Sequence, residues 1–469
     1  MTGTLRLGTA AGRGALAASA LASGMAFLDL TIVNVALPHL GRDLHATVSG
    51  LQWTVTGYTL TLAAFVLLGG ALGDRYGRRR VFLVGVGWFT VASVLCGLSP
   101  SIGVLVAVRA LQGCGGALLT PGSLALVQAS FDERDRGRAI GAWSGLAGVS
   151  TAIGPFVGGW LIDALSWRWI FFLNVPVAAV AVACAVRYVP ESRGTRVERF
   201  DLLGALLAAA GLGGTTYALI QHAWPPALVG LAGLVAFVVV ERRRGDAAML
   251  PPRLFASAQF TALNVVTFFV YAGLSGIAFF LIVELQTVAG YSALVAGTTM
   301  LPLTVLLLAG SARVGALASR IGTHWPLAAG AASAGAGGLL LERVGPGASY
   351  LLDVLPATAL VGLGMMLVVA PLTTAVLAAA PDALTGVASG VSNAVARAAG
   401  LLAVATLPFV VGLTGRQYAD PRALNLAYHR SLWYSAGLYL LAALLTVVLV
   451  AAGRPGRVPG RPARVPTPG

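Results

Sequence analysis

Long apolar runs separated by short polar breaks set the pattern of this chain. An apolar helix of about 20 residues crosses the hydrocarbon layer of a bilayer. On that measure the sequence predicts spans over 15–38, 51–72, 81–99, 102–125, 139–163 and 170–189. Two further runs, 202–220 and 227–240, follow the polar stretch "PESRGTRVERFD", and "ERRRGDAAMLPPRLF" closes them off. Six more run over 261–284, 292–315, 326–341, 350–376, 385–412 and 431–452, which makes fourteen, with 227–240 and 326–341 the shortest. The fold class that follows is all-α and integral to the membrane. It has two six-helix pseudo-repeat bundles, 1–189 and 261–452, a two-helix insert with its linkers at 190–260, and a disordered basic tail at 453–469. The first span is expected to stay in place, because it is too long for a cleaved leader, carries Asp29 and lacks a small-residue cleavage site.

Composition narrows the function. Hydrophobic residues make up 57% of the chain and charged residues 10%, where soluble domains carry about 25% charged residues. All 31 basic residues are Arg. Without Lys there is no phosphate-binding P-loop and no amine to hold retinal or pyridoxal, so a gradient or a partner must supply the energy. The net charge of +14 is dispersed in short groups rather than forming one basic face, which argues against nucleic-acid binding. With both termini inside, 22 arginines fall on the inner side and six on the outer, as the positive-inside bias requires. Cys96, Cys114 and Cys184 lie inside apolar runs without metal spacing, so neither a disulfide nor a metal is expected, and no cofactor is implied. His39, His45 and His222 lie at helix ends or in loops and no nucleophile motif is present, which leaves a polytopic enzyme or sensor as a distant rival.

The octapeptide "GALGDRYG" at 70–77 returns as "GALASRIG" at 315–322, each copy after the second helix of its block, with Ser319 in place of Asp74. Internal repeats of this kind build secondary transporters, whose substrate site lies between the halves near the midplane. Of 17 carboxylates, Asp29 alone lies deep within a predicted span. A charge there costs roughly 2.5 to 3.5 kcal/mol even on the lenient insertion scale, so it needs a reason. Asp29 lies eight residues before Leu37 and Arg109 eight after Ser101, which at about 1.5 Å per residue puts both about 12 Å below the outer surface. They can share one cavity if the first and fourth helices line it. Burial favours a neutral carboxyl and a nearby guanidinium a charged one, so Asp29 reads as a proton-coupling or cation-recognising residue, or as half of a static ion pair. Arg397, mid-span in the thirteenth run, can meet an anionic substrate, pair across the halves or pack as a polar residue. Glu284, near the outer end of the ninth, is either solvated at the interface or a second acidic site.

Five motifs in order carry a family resemblance: "LDLTIVNVALP" at 28–38, "GALGDRYGRRRVF" at 70–82, "RALQGCGGALLTPG" at 109–122, "GPFVGG" at 154–159 and "WRWIFFLNVP" at 167–176. Over nearly its whole length the chain resembles the major facilitator superfamily, in its fourteen-helix drug:proton antiporter branch. Two positions depart from the pattern: Arg79 stands at the usual Lys of the loop signature, and Ser150 at the first Gly of the fifth-helix motif. The resemblance implies that Gly70, Asp74, Arg75, Gly77 and Arg78 form a gate latch on the cytoplasmic side, where the plainer reading is an anchoring loop. Gly70, Gly73 and Gly77 would allow close approach and turning, with Asp74 at a helix N-terminus. Gly154, Pro155, Gly158 and Gly159 form the motif associated with export. Asn34 and Gln112, inside the first- and fourth-helix motifs, join Asp29, Arg109, Glu284 and Arg397 as proton-coupling or substrate residues. Trp160, Trp167 and Trp169 read as an interfacial belt. The function implied is a proton-coupled antiporter, monomeric and set in a bacterial plasma membrane, that exports small hydrophobic or amphipathic compounds. Uptake by proton symport is its rival.

Overall fold

A computed structural model describes residues 5–193, 201–245, 248, 250–381, 384–415, 417 and 420–450. The tail 453–469, Arg196 and Arg199 of the linker, and Arg416 lie outside the described residues. The helices of the first half are α1 (Ala10–Asp43), α2 (Val48–Tyr76), α3 (Arg78–Gly97), α4 (Ile102–Ser130), α5 (Glu133–Ala164) and α6 (Trp169–Tyr188). Next along the chain come α7 (Leu202–Gln221) and α8 (Trp224–Arg244). The second half has α9 (Ala258–Thr287), α10 (Ala293–Ile321), α11 (His324–Leu340), α12 (Leu355–Ala378), α13 (Thr385–Val410) and α14 (Pro421–Leu445). Many starts are set by local chemistry: Thr9, Thr47, Ser101, Asp132, Asp201, Ser257, Ser292 and Asp420 each accept a backbone N–H from the first turn they precede.

Twelve of these helices are long and apolar enough to cross a membrane, and α2, bent by 49° between Val66 and Leu68, makes a thirteenth. The short run at 227–240 lengthens into the 21-residue α8. At 17 residues α11 falls short of the about 20 needed for an upright span, so the expected count of fourteen is not reached on length.

The sequence repeat extends to the backbone. Gly77 ends α2 at φ 113°, ψ 124°, and Gly322 ends α10 at φ 91°, ψ 149°, a region that side chains rarely adopt. The loop between α2 and α3 corrects two expectations. Asp74 lies in the last turn of α2, because that helix continues to Tyr76, and its carboxylate accepts from Arg78 Nε at 2.8 Å. The carboxylate at the start of α3 is Glu191, which accepts from the backbone N–H of Arg79 at 3.0 Å and of Arg80 at 3.2 Å. Close approach belongs to Gly69, where a Cβ would fall 2.1 Å from the Ala117 carbonyl oxygen; at Gly70 and Gly73 it would meet its neighbours at 3.7 and 3.9 Å, ordinary contact.

Trp160 and Trp169 are half-exposed, as belt residues are, but Trp167 is 2% exposed. Its indole N–H donates to the Asp43 carboxylate at 2.8 Å and its ring meets Phe171 edge-on, so it is a core residue. The apolar core is laid out unequally. One cluster runs through the second half and into the first along Ile32–Leu40, Val48 and Leu161; the remainder of the first half, around Met25, Tyr58, Phe82 and Phe131, forms a separate cluster. That second cluster lies toward the end of the bundle that carries Arg75, Arg78–Arg80, Arg134, Arg136 and Arg138, the arginine-rich end.

Candidate functional site

The first half of α2 is dense in polar side chains for a buried helix: Gln52, Thr54, Thr56, Tyr58, Thr59 and Thr61. Facing it, α1 brings Asp29 and α4 brings Arg109 and Gln112, one helical turn apart. Asp29 and Arg109 form an ion pair, with the guanidinium NH1 donating to Oδ2. Gln112 closes the network, donating to Asp29 Oδ1 at 2.9 Å while its own oxygen accepts from Arg109 at 2.8 Å. Arg109 Nε donates to the Thr54 carbonyl at 3.1 Å, and the guanidinium carbon sits 4.3 Å from the centre of the Tyr58 ring. Cys96 lends a long S–H contact of 3.5 Å to Gln112. Asp29, Arg109 and Gln112 are 4%, 1% and 0% exposed. Both carboxylate oxygens and the Nε and Nη1 groups of the guanidinium therefore have partners, as two buried charges require. The Tyr58 hydroxyl is fully buried beside them without a hydrogen-bond partner among the described residues.

On its other side α1 turns Leu30 and Asn34 toward the second half. They line a cavity of about 180 Å³ closed by Val55, Thr56 and Thr59 of α2, Ser275 and Phe279 of α9, and Arg397 and Val404 of α13. Arg397 stands twelve residues into the 26-residue α13, at mid-height. The structure thus divides the six residues expected to act together. Asp29, Arg109 and Gln112 form one buried cluster inside the first half, whereas Asn34 and Arg397 face each other across the interface between the halves.

The fifth-helix motif packs two ways. A Cβ on Gly154 would lie 2.4 Å from Thr31 Oγ1 and one on Gly158 2.7 Å from Ile32, so these two seat α5 on α1. Gly159 and Pro155 seat it on the second half: a Cβ on Gly159 would lie 2.5 Å from Leu294 Cα, and one on Gly297 2.3 Å from the Pro155 oxygen. One turn on, the Asp163 carboxylate accepts the N–H groups of Ala293 and Leu294 at 3.1 and 2.9 Å, capping α10 from the other half. Further hydrogen bonds join the halves at this end: Gln52 to the Val404 and Ala405 carbonyls, Val48 N–H to the Gly415 carbonyl, and Gln286 to the Val35 carbonyl.

These motifs can be set beside known proteins. The family model described as Major Facilitator Superfamily matches residues 19–405. The chain belongs to the major facilitator superfamily. Among curated relatives of this major facilitator, "Multidrug resistance protein Stp" of Mycobacterium tuberculosis is 38% identical over 389 residues, covering 81% of this chain and 72% of the relative. "Puromycin resistance protein pur8" of Streptomyces alboniger is 37% identical over 465 residues, covering 93% and 92%. Among solved structures, a POT family transporter in complex with 5-aminolevulinic acid superposes with a TM-score of 0.72 over 97% of this chain and 99% of the other, at 12% identity. That last likeness concerns the fold alone.

Glu284 of this facilitator is 0% exposed, which rules out interfacial solvation. It accepts from Asn425 of α14 at 2.7 Å and its second oxygen has no partner among the described residues, so its contacts lie within the second half and away from those of Asp29. Sequence reasoning misses Thr54, Tyr58, Ser275, Asp163 and Glu191. Residue type carries no signal for Thr54, whose backbone carbonyl is the acceptor while its hydroxyl donates to the Gly50 carbonyl of its own helix.

Proposed function

We propose that this major facilitator is a proton-coupled antiporter that exports small hydrophobic or amphipathic compounds, drugs or antibiotics, across a bacterial plasma membrane. Both termini and the arginine-rich end are cytoplasmic in this reading, following the positive-inside bias. The observation that carries it is the position of Asp29. Its carboxylate is held by Arg109 and Gln112 on one face of α1, while Leu30 and Asn34, on the same helix, line the cavity between the halves. A proton arriving on Asp29 removes the charge that Arg109 was paired with. The two helices then exchange one set of contacts for another, and α1 passes that change to the cavity wall. Such coupling needs only that the protonated and ionised forms favour different arrangements of the halves.

The conformation supports the loading step of export. Hydrogen bonds between the halves gather at the end holding Gln52, Asp163 and Gln286, and the apolar cores of the halves merge there. The first half's separate cluster lies toward the cytoplasmic end, so a compound enters the cavity from the cytoplasm. Each proton moving inward through 100 mV then supplies about 2.3 kcal/mol, besides any pH gradient. Around the loop after α2, the Arg78 N–H donates to the Ser192 carbonyl and Arg79 NH1 to the Val189 carbonyl; Asp74, Arg75 and Arg78 act as a latch when that end closes.

The test is resistance to a panel of lipophilic antibiotics in an efflux-deficient host carrying the native chain, Asp29→Asn or empty vector, at equal membrane abundance. We expect the native chain to raise resistance to at least one compound, and cells carrying Asp29→Asn to fall to the vector level. Accumulation of a compound in cells bearing the native chain would reverse the direction, and equal protection by both forms would remove the coupling role from Asp29.

A further inference from the structure

Two arginines lie at mid-height of the bundle, Arg109 inside the first half and Arg397 at the interface of the halves, and they are treated oppositely. Arg109 is paired with Asp29, bonded to Gln112 and Thr54, and stacked on Tyr58. Arg397 has no hydrogen-bond, ion-pair or ring partner among the described residues, and no carboxylate is among those lining its cavity. An unpaired guanidinium at that depth is costly unless it serves a pathway or a ligand. The neighbours are chosen to match. Thr56 and Thr59 spend their hydroxyl protons on the Gln52 and Val55 carbonyls of their own helix, and Asn34 donates one amide N–H to the Leu30 carbonyl. The Ser275 hydroxyl has no such bond among those described. A cavity so built carries one positive charge, the free N–H groups of Arg397, the Ser275 hydroxyl and an apolar wall of Val55, Phe279 and Val404.

From this we infer that the cavity takes an organic anion, an amphipathic molecule whose carboxylate is held by Arg397 and the Ser275 hydroxyl while its apolar body lies against Val55, Phe279 and Val404. The inference rests on the export reading and deepens it by naming the substrate class. A guanidinium grips a carboxylate through two parallel N–H bonds, and the pairing cancels a charge that the cavity's own side chains leave unbalanced. A cationic compound would instead add a second positive charge beside the first. Because the cargo is an anion, its outward movement and the inward movement of a proton shift charge in the same sense, so the membrane potential drives both.

Three probes of one size separate the possibilities: naphthylacetate, its neutral amide, and naphthylethylammonium. Binding to the purified full-length protein is read from thermal stabilisation, and efflux of the same probes is read in cells. We expect naphthylacetate to bind at least tenfold tighter than either other probe. Arg397→Gln should abolish that preference while keeping the unliganded melting temperature, and Arg397→Lys should keep part of it, since a lysine retains the charge and loses the fork. The inference is overturned if no probe binds, if amide or ammonium binds as well as acetate, or if the Arg397→Gln protein retains the preference. Efflux of probes without regard to charge would overturn it while leaving export intact. Preferential binding of acetate with no efflux would instead sink the export reading and leave anion recognition standing.

Discussion

Asp29, Arg109 and Gln112 make a closed unit of charge, and their energetics follow from that closure. Removing one partner of a buried ion pair strands the other, at a cost of about 3 to 5 kcal/mol, whereas removing both charges costs much less. We therefore expect Arg109→Gln to lower the melting temperature more than the double variant Asp29→Asn/Arg109→Gln does. Thermal unfolding of native, single and double variants closes the cycle, and additive effects would mean that the pair is not coupled. The equal depth of residues 29 and 109 was legible in the sequence, because helical rise fixes it, but their pairing also required the first and fourth helices to line one space. The partners on α2 were not legible. Whether Thr54 and Tyr58 turn toward Arg109 depends on the rotation of α2, which is set by packing against α4 at positions such as Gly113, where a Cβ would lie 2.3 Å from the Tyr58 carbonyl oxygen. Nor was the unpaired state of Arg397 legible. Sequence shows that a charge lies mid-span, and only the assembled cavity shows that no lining side chain answers it.

Elements meet where side chains are smallest, and α5 is the clearest case. Its glycines 154 and 158 serve α1 and its Gly159 serves α10, so one helix is keyed to both halves. The contact to α10 is completed by Asp163, whose carboxylate caps the first turn with two bonds. Gly159→Val places methyl groups where Leu294 Cα already stands, and Asp163→Asn weakens the cap by removing its charge at a helix N-terminus. Both are expected to open the Gln52 end of the interface. Spin labels on either side of it should report a longer distance than in the native protein, by several ångströms for Gly159→Val and less for Asp163→Asn. An unchanged distance in both would show that these contacts do not hold the end shut. The motif was readable as a close-packing segment from its glycines and proline, but not which neighbour each would meet. The error over Asp74 has a similar source: a charged cluster reads as the stop of a helix, whereas α2 continues until Gly77 takes a φ of 113°. The same glycine is repeated at 322, and there sequence and backbone agree.

At the scale of the molecule, the property least accessible from sequence is the conformation, since the alternating arrangements that we propose would use the same helices and the same apolar faces. The structure shows one of them. The halves share a core and a set of hydrogen bonds at the Gln52 end, and the first half keeps a separate core toward the arginine-rich end. If transport requires the halves to part at the joined end, a covalent tie there must stop it without disturbing the fold. Asp163 and Leu294 are neighbours across this contact, since the Asp163 carboxylate accepts the Leu294 N–H at 2.9 Å. With Cys96, Cys114 and Cys184 replaced by Ala, we expect the pair Asp163→Cys/Leu294→Cys to export when reduced, at a rate no higher than the Asp163→Asn protein because the cap is lost, and to stop exporting when oxidised. Restoring a reductant should restore export in the same vesicles, which separates a reversible lock from damage to the protein. Ligand should still bind to the oxidised form, since the tie lies opposite the arginine-rich end from which we propose that it enters. Undiminished export by the fully oxidised protein would mean that the contact at Asp163 stays closed throughout the cycle, and that the halves move about it as a hinge.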